Sequence, residues 1–184
     1  MSAPNLNVYS NYSDKVPGKW MLSVDAASGK RDIHSEGIAC AAHVYPVDIS
    51  SSFRASVEAT FQNLAENVEV VDNPPPASTL GAAGYAGVIR VKLDSMRPRL
   101  EFIQGFWSAK ARSDMEIDAG LVVDGPSGRL LGTQASGRGT DEESGDCPTG
   151  AGVIGHASEE AMKSLLGALG ERFGNAPQLR GQKP

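Results

Sequence analysis

The chain has 184 residues, a length that suits one domain with a single core of ordinary size. Its 17 lysines and arginines are outnumbered by 22 aspartates and glutamates, which gives a formal net charge of −5. Because the basic residues are scattered and the balance is acidic, no cationic field attracts phosphate groups, and nucleic acid is excluded as an expected partner.

Composition and apolar periodicity divide the chain into three predicted parts. Residues 1–18 contain Pro4 and Pro17 among many Asn and Ser residues, which predicts a polar N-terminal tether or arm. Residues 19–174 carry the regular apolar patterns and are predicted to form the single folded domain. The remaining residues, 175–184, are predicted to be a loose C-terminal tail.

In the first half of the domain, apolar residues at every second position predict two strands. One surrounds Trp20, and the other runs from Ile38 to Val44, which places Cys40 on its buried side. Apolar residues three and four positions apart then predict a helix from about residue 50 to Asn67. A short strand over residues 68–71 follows it.

The second half begins with a predicted loop over residues 72–87, which contains three successive prolines. A strand follows, and Arg97–Pro98 is predicted to interrupt it because proline lacks the N–H that a sheet ladder needs. Alternation around the turn Asp124–Gly128 predicts a long antiparallel hairpin over 114–138. Apolar residues at steps of four predict a second helix over 150–173.

Together these elements predict an α+β fold, an antiparallel β-sheet with two helices packed on one face in two layers. The helices are expected to cover the apolar face of the sheet. The other face is expected to be solvated, since the hairpin alternates between apolar and polar side chains.

Three motifs that could suggest a cofactor or metal are interpreted as structural. Gly150–Gly155 matches the G-x-G-x-x-G pattern, but fewer than about 35 residues follow it, too few for the βαβ unit that the pattern serves, so no cofactor is expected. The acidic loop 141–146 lacks EF-hand spacing. His34, His43 and His156 are far apart in the sequence, so no metal site is expected.

No catalytic residue is assigned. No serine lies in a G-x-S-x-G motif, although a hydrolase stays open because catalytic triads are defined by geometry and not by sequence order. Phe106 and Trp107 are a possible partner contact, since adjacent strand residues face opposite ways and one of them is then exposed or covers an edge.

Cys40 and Cys147 are the two cysteines of the chain, and each precedes a predicted helix. If both helices lie side by side and parallel on the sheet, their entrances are near the same end and the cysteines could form a disulfide. Two buried free thiols are the alternative.

The order of the elements resembles a known class of proteins. The segments that carry the resemblance are Val44–Asp48, Phe53–Phe61, Leu121–Arg129 and the C-terminal Ala/Leu helix, within residues 36–174. The chain resembles small bacterial outer-membrane lipoproteins of the YajG kind and, more loosely, the lipopolysaccharide-assembly (LptE-like) lipoprotein. That resemblance implies a periplasmic, non-enzymatic accessory role with no catalytic residues. The chain has no lipobox cysteine, so a lipid anchor would require a trimmed native precursor.

The leading hypothesis is therefore a periplasmic or outer-membrane-tethered accessory protein that acts through contacts with an envelope protein of unknown identity. The partner is expected to add a strand at the sheet edge or to dock on the polar face. No transmembrane segment or signal peptide is expected from the sequence, which leaves either a mature chain or a cytoplasmic protein. The alternatives are a cytosolic structural domain, or a small-ligand binder or hydrolase with a pocket between sheet and helices.

Overall fold

The computed structural model describes residues 11–105 and 109–181, which form seven strands and three α-helices. The strands are β1 (Val16–Asp25), β2 (Lys30–Ile33), β3 (Tyr45–Asp48), β4 (Ala65–Val70), β5 (Gly87–Gln104), β6 (Ala109–Gly125) and β7 (Gly128–Ser144). The helices are α1 (Ser50–Leu64), α2 (Ala77–Leu80) and α3 (Thr149–Gly174), with short 3-10 turns at Ala27–Gly29, Gly81–Ala83 and Pro177–Leu179. None of the described helices is both long and apolar enough to cross a membrane.

The main sheet has the strand order β4-β1-β5-β6-β7, and β2 pairs with β3 in a separate two-stranded sheet. The predicted fold, an antiparallel sheet covered by two helices, is wrong. The sheet is mixed, because β1 pairs in parallel with both β4 and β5. A parallel pair requires a crossover connection, which α1 supplies between β1 and β4. A third helix, α2, adds a further departure from the predicted arrangement.

The predicted strand from Ile38 to Val44 is also wrong, since this segment is a loop of turns. Cys40 has a φ of 59°, in the left-handed region that an extended strand cannot contain. The alanines at positions 39, 41 and 42 fit the alternating pattern of a buried strand, but their small side chains supply little apolar area. In the structure Ile38 is 96% exposed, whereas Cys40 of the same predicted face is partly buried against the core, so the face is not buried as a strand would be.

The predicted interruption at Arg97–Pro98 does not occur. Strand β5 is 18 residues long and includes both of these residues. Pro98 lies opposite Met115 of β6. Strand β1 pairs only with residues 87–92 of β5, so at Pro98 the main sheet has a strand partner on one side only. Proline is tolerated in such an edge section because its missing N–H is not needed by a second neighbouring strand.

The core lies between the sheet and the helices α1 and α3. Phe173 of α3 meets Trp20 and Phe61 edge to face, with ring centroids 6.3 Å and 5.0 Å away, and all three side chains are fully buried. Helix α3 also approaches β7 closely at two glycines. A Cβ on Gly137 would lie 2.5 Å from the backbone nitrogen of Leu165, so a larger residue would push the helix away. The hairpin of β6 and β7 and the long final helix agree with the sequence predictions.

The ends of the described chain pack against the domain. β1 begins at Val16, and Leu179 is fully buried beyond the end of α3. The Arg180 guanidinium donates hydrogen bonds to the backbone carbonyls of Asp14 and Gly174, at 3.1 Å and 3.0 Å. These contacts join the two ends of the described domain at one place.

Candidate functional site: the open face of the sheet

One face of β5, β6 and β7 carries the side chains that point away from α1 and α3. On β6 these are the even-numbered positions from 112 to 124, while the odd-numbered positions are buried in the core. Each lies between a partner on β5 and a partner on β7. We call this surface the open face. Among the described residues, no helix crosses its central rows, so its side chains are accessible to another molecule.

A carboxylate at the centre of the open face is held between two arginines. Glu116 accepts from Arg97 and from Arg138, both at 3.2 Å, in one row across the three strands. The hydrogen bonds from Arg97 and then from Arg138 lower the pKa of Glu116 below its usual range. This row therefore keeps fixed opposite charges at the surface around neutral pH.

The neighbouring row is centred on Asp118, whose side chain is 21% exposed. Its carboxylate accepts hydrogen bonds from Ser136 at 2.5 Å and Ser95 at 2.7 Å, and Arg97 lies 2.7 Å away. Burial acts to raise the pKa of Asp118, but the two serine hydroxyls and Arg97 together lower it. Every polar group of this row is thus oriented by a neighbour on another strand.

Further rows continue the same arrangement toward the other end of the strands. Asp114 accepts from the Thr140 hydroxyl at 2.8 Å, and Lys110 pairs with Glu142 at 2.6 Å. The hydrogen bond and charge of Lys110 lower the pKa of Glu142. Exposed ion pairs such as these add little stability individually. Their main physical effect is a fixed charge pattern, which favours one orientation of a docking partner.

A groove interrupts the charged rows near the β6–β7 turn. It has a volume of about 700 Å³, and Gly120 and Gly132 form part of its floor. Asp124 lies beside it and is shared by Arg90, at 2.6 Å, and Arg129, at 2.5 Å. The missing side chains at the two glycines create the depression, while Asp124 fixes the two arginines at its border.

The outer edge of β7 is occupied by side chains of α3. The Thr140 backbone N–H donates to the Glu160 carboxylate at 2.9 Å. The Arg172 guanidinium donates to the Gln134 backbone carbonyl and to the Thr133 hydroxyl. The edge strands of β-sheets are commonly protected by side chains or segments that cover them. A partner that added a strand here would have to displace these contacts, so the edge of β7 is poorly suited to strand addition.

The free section of the β5 edge is covered as well. Arg31 of β2 donates to the Met96 carbonyl at 3.1 Å, and the Glu36 N–H donates to the Leu100 carbonyl at 2.7 Å. An Arg99–Glu36 ion pair lies beside the second contact. Both sheet edges that flank the open face therefore use backbone groups in internal hydrogen bonds.

The segment after α2 covers the β1 end of this same face of the sheet, where Val88 lies opposite Asp124 and Met21 opposite Val88. Tyr85 donates to Glu69 at 2.5 Å, and Lys19 lies 2.7 Å from the Tyr85 hydroxyl. The hydrogen bonds from Tyr85 and Lys19 lower the pKa of Glu69. Leu80, Tyr85 and Val88 form a small apolar cluster there. This cluster marks where the open face ends.

The two cysteines are joined at the end of the molecule where α3 begins. Cys40 and Cys147 form a disulfide, with Cα atoms 5.6 Å apart. Phe106 and Trp107, the possible partner contact, lie outside the described residues. The sequence indicated the polar face of the sheet as one possible docking surface but did not identify the charged rows on it. The alternation of Asp114, Glu116 and Asp118 in β6 was visible, but their arginine partners depend on strand pairing.

No arrangement typical of a metal centre occurs in the described ranges, since no three or more His, Cys, Asp or Glu residues come together to hold an ion. His156 pairs instead with Asp141 of the acidic segment, at 3.0 Å. Gly150, the first glycine of the G-x-G-x-x-G match, packs against Tyr45 and Phe102, where a Cβ would come within 2.8 Å and 3.1 Å of the rings. Close packing therefore accounts for a glycine at this position.

No family model matches the chain, and no curated protein gives a significant match. Solved structures that resemble it include a Xanthomonas campestris protein of the DUF330 family model, with 11% identity and a TM-score of 0.49 over 97% of this chain and 95% of that chain. Another is a minor lipoprotein from Acinetobacter baumannii, with 8% identity and a TM-score of 0.40 over 85% and 92%. A third is a neuraminyllactose-binding hemagglutinin homologue from Helicobacter pylori, with 10% identity and a TM-score of 0.45 over 91% and 94%. Similarities at this level assign no function to the chain.

Proposed function

We propose that the chain is a non-enzymatic accessory module of the bacterial cell envelope that binds another envelope protein through its open face. The observation that carries this proposal is the contrast between the surfaces of the sheet. Helices α1 and α3 cover one face, and side chains such as Glu160 and Arg172 cover the edge of β7. The open face has fixed charges and a groove, and no element among the described residues covers its central rows.

The disulfide supports the envelope location. Disulfides persist in oxidising compartments such as the bacterial periplasm and are rare in the cytosol, where thiols are kept reduced. The Cys40–Cys147 bond links residues separated by 107 positions, so it joins distant parts of the domain. A periplasmic site is also what the resemblance to small outer-membrane lipoproteins implies. Outer-membrane attachment through a lipid on a native precursor is part of this proposal.

Docking on the open face fits the structure better than strand addition at β7 or at the free section of β5, the two edges beside that face. Adding a strand would break the contacts that Glu160 and Arg172 make with the backbone of β7. Docking on the face leaves those contacts intact and uses side chains that are already oriented. Ile103, which is 40% exposed near the end of β5, would add apolar area, and we extend the proposed contact to Phe106 and Trp107.

The alternative function, a small-ligand binder or hydrolase, was expected to use a pocket between the sheet and the helices. The packing of the core does not support such a pocket. Trp20, Phe61 and Phe173 are fully buried there and pack edge to face. The groove near Gly120 lies on the other side of the sheet. Binding at the open face is therefore the preferred function.

Site-specific photo-crosslinking in the native host tests this proposal. A photoreactive amino acid is placed at Gln134 or Arg138 on the open face, and at Lys163 on α3 as the matched control. We expect a single envelope protein to be linked from both open-face positions and not from Lys163. Crosslinks from Lys163 alone, or equal labelling from all three positions, would contradict the proposal.

A further inference from the structure

The groove on the open face combines an apolar floor with a cationic border. Its floor contains Val122 between Gly120 and Gly132, which have no side chains. A Cβ added to Gly132 would meet only the Arg129 side chain, at 3.6 Å and beyond. The floor is therefore open to the side chains of another molecule, and apolar atoms placed there would be removed from water.

Three cations lie around this floor, and much of their hydrogen-bonding capacity is unused. Arg90 and Arg129 each give one hydrogen bond to Asp124, out of the five N–H donors of a guanidinium. Lys92 forms no ion pair or hydrogen bond within the described ranges of the chain. Asp124 compensates one of the two arginine charges and holds both arginines in place, so a positive excess remains at the end formed by Arg90 and Arg129.

The other end of the groove carries both a positive and a negative side chain, since Lys92 lies opposite Gly120 in the sheet. The Asp94 carboxylate lies over Gly120, 3.3 Å from where a Cβ of that glycine would be. Asp94 is four positions from Arg90 along β5, roughly 13 Å at the rise of an extended strand. Asp94 therefore opposes the charge of Lys92 at this end, and an anionic group is favoured at the end formed by Arg90 and Arg129.

Building on the proposed function, we infer that the groove binds an extended segment of the partner protein that carries a carboxylate flanked by apolar side chains. The carboxylate pairs with Arg90 and Arg129, whose guanidinium groups suit planar two-oxygen acceptors. The adjacent apolar side chains lie on Val122 and Gly132. An extended segment fits because the groove is shallow, open to solvent and lined by residues of three neighbouring strands.

Peptide binding to the intact, oxidised chain tests the inference by fluorescence anisotropy. The probe is a fluorescent peptide of three Leu-Glu repeats with an amidated C-terminus. A Leu-Gln peptide is compared with its C-terminus either amidated or free, which separates side-chain from terminal carboxylates. We expect at least one carboxylate-bearing peptide to bind about tenfold or more tightly than the amidated Leu-Gln peptide.

Two glycine variants locate the binding. Gly132→Leu fills the floor without changing charge, and we expect it to weaken binding about tenfold or more. Gly155→Leu is the matched control, because a Cβ on Gly155 of α3 meets nothing within 4 Å. We expect Lys92→Gln to weaken binding and Asp94→Asn to strengthen it. Circular dichroism of each variant checks that it folds.

Equal binding of the three peptides, or full binding by folded Gly132→Leu, would overturn the inference. The same holds if the backbone amide signals of Gly120, Val122 and Gly132 do not shift when the best-binding peptide is added. Such results leave the proposed function standing if photo-crosslinks from Arg138 persist. Loss of crosslinks from the whole open face is the separate result that contradicts the proposed function.

Discussion

The hydroxyl of Tyr45 donates a hydrogen bond of 2.8 Å to the backbone carbonyl of Cys147, next to the disulfide with Cys40. The Tyr45 ring also packs against Gly150 in the first turn of α3. Burial raises the pKa of Tyr45, and the nearby Asp146 charge adds to this effect. The start of α3 is thus fixed to β3 and to the loop around Cys40 by covalent, polar and packing contacts.

Removing the disulfide is expected to destabilise the domain. For the double variant Cys40→Ala/Cys147→Ala, we predict a loss of about 2–5 kcal/mol in the free energy of unfolding, because the bond closes a long loop. Urea unfolding of the oxidised protein and the variant at pH 7 measures this difference. Tyr45→Phe should cost less, about 0.5–1.5 kcal/mol for one hydrogen bond. A double-cysteine variant as stable as the oxidised protein would refute the prediction.

The glycines of β7 should be intolerant of side chains. A Cβ in Gly137→Ala would lie 2.5 Å from the Leu165 backbone nitrogen and 2.6 Å from the Leu165 Cβ. We predict a loss of about 1–3 kcal/mol from overpacking. Gly155→Ala, in the open part of α3, should instead stabilise by about 0.5–1 kcal/mol, since alanine favours helix. Thermal unfolding of the two variants gives the comparison, and equal melting temperatures would contradict the packing of α3 on β7.

The open face should lose electrostatic stabilisation in acid. The folded-state pKa of Glu116 is lowered by Arg97 and Arg138, so its stabilising contribution is complete above the unfolded pKa of about 4.3 and is lost as pH falls through the lower folded value. We predict that Glu116→Gln flattens the fall of unfolding free energy below about pH 5. Carboxyl NMR titration provides a direct check. A Glu116 pKa at or above the ordinary glutamate value would contradict the prediction.

The side chains of α3 that cover the edge of β7 should keep the protein from self-association. In Glu160→Ala/Arg172→Ala, the Thr140 N–H and Gln134 carbonyl lose these partners, which exposes a strand edge. We predict concentration-dependent self-association by sedimentation velocity.

Glu159→Ala/Lys163→Ala is the control, because it removes an i,i+4 pair of the same helix without touching β7. It should sediment like the unmodified protein. If both double variants remain monomeric at high concentration, the edge contacts have no protective role.

Local patterns predicted the elements with the strongest periodicity. The turn between Asp124 and Gly128 and the alternation on both sides of it identified the β6–β7 hairpin, since each strand has one buried face. Steps of four apolar residues identified α3, whose inner face from Val153 to Phe173 is buried. These features depend on neighbouring residues, so the sequence expresses them directly.

Features that depend on distant pairing could not be predicted in the same way. Alternation shows that β1 has a buried face but not that β1 runs parallel to β4 and β5. The row from Arg97 through Glu116 to Arg138 exists only in the observed register, and an irregularity between Leu93 and Ser95 shifts that register. The left-handed backbone conformation of Cys40 could not be predicted either, because the residues around it follow the alternating pattern of a strand.

Binding measurements with the purified partner from the photo-crosslinking experiment test the central claim most directly. The charge reversals Arg138→Glu on the open face and Lys163→Glu on α3 change net charge equally and are compared by calorimetry after circular dichroism confirms their folding. We predict that Arg138→Glu weakens binding about tenfold or more and that Lys163→Glu leaves the Kd unchanged. Unchanged binding by Arg138→Glu together with weakened binding by Lys163→Glu would contradict the claim that the open face is the docking surface.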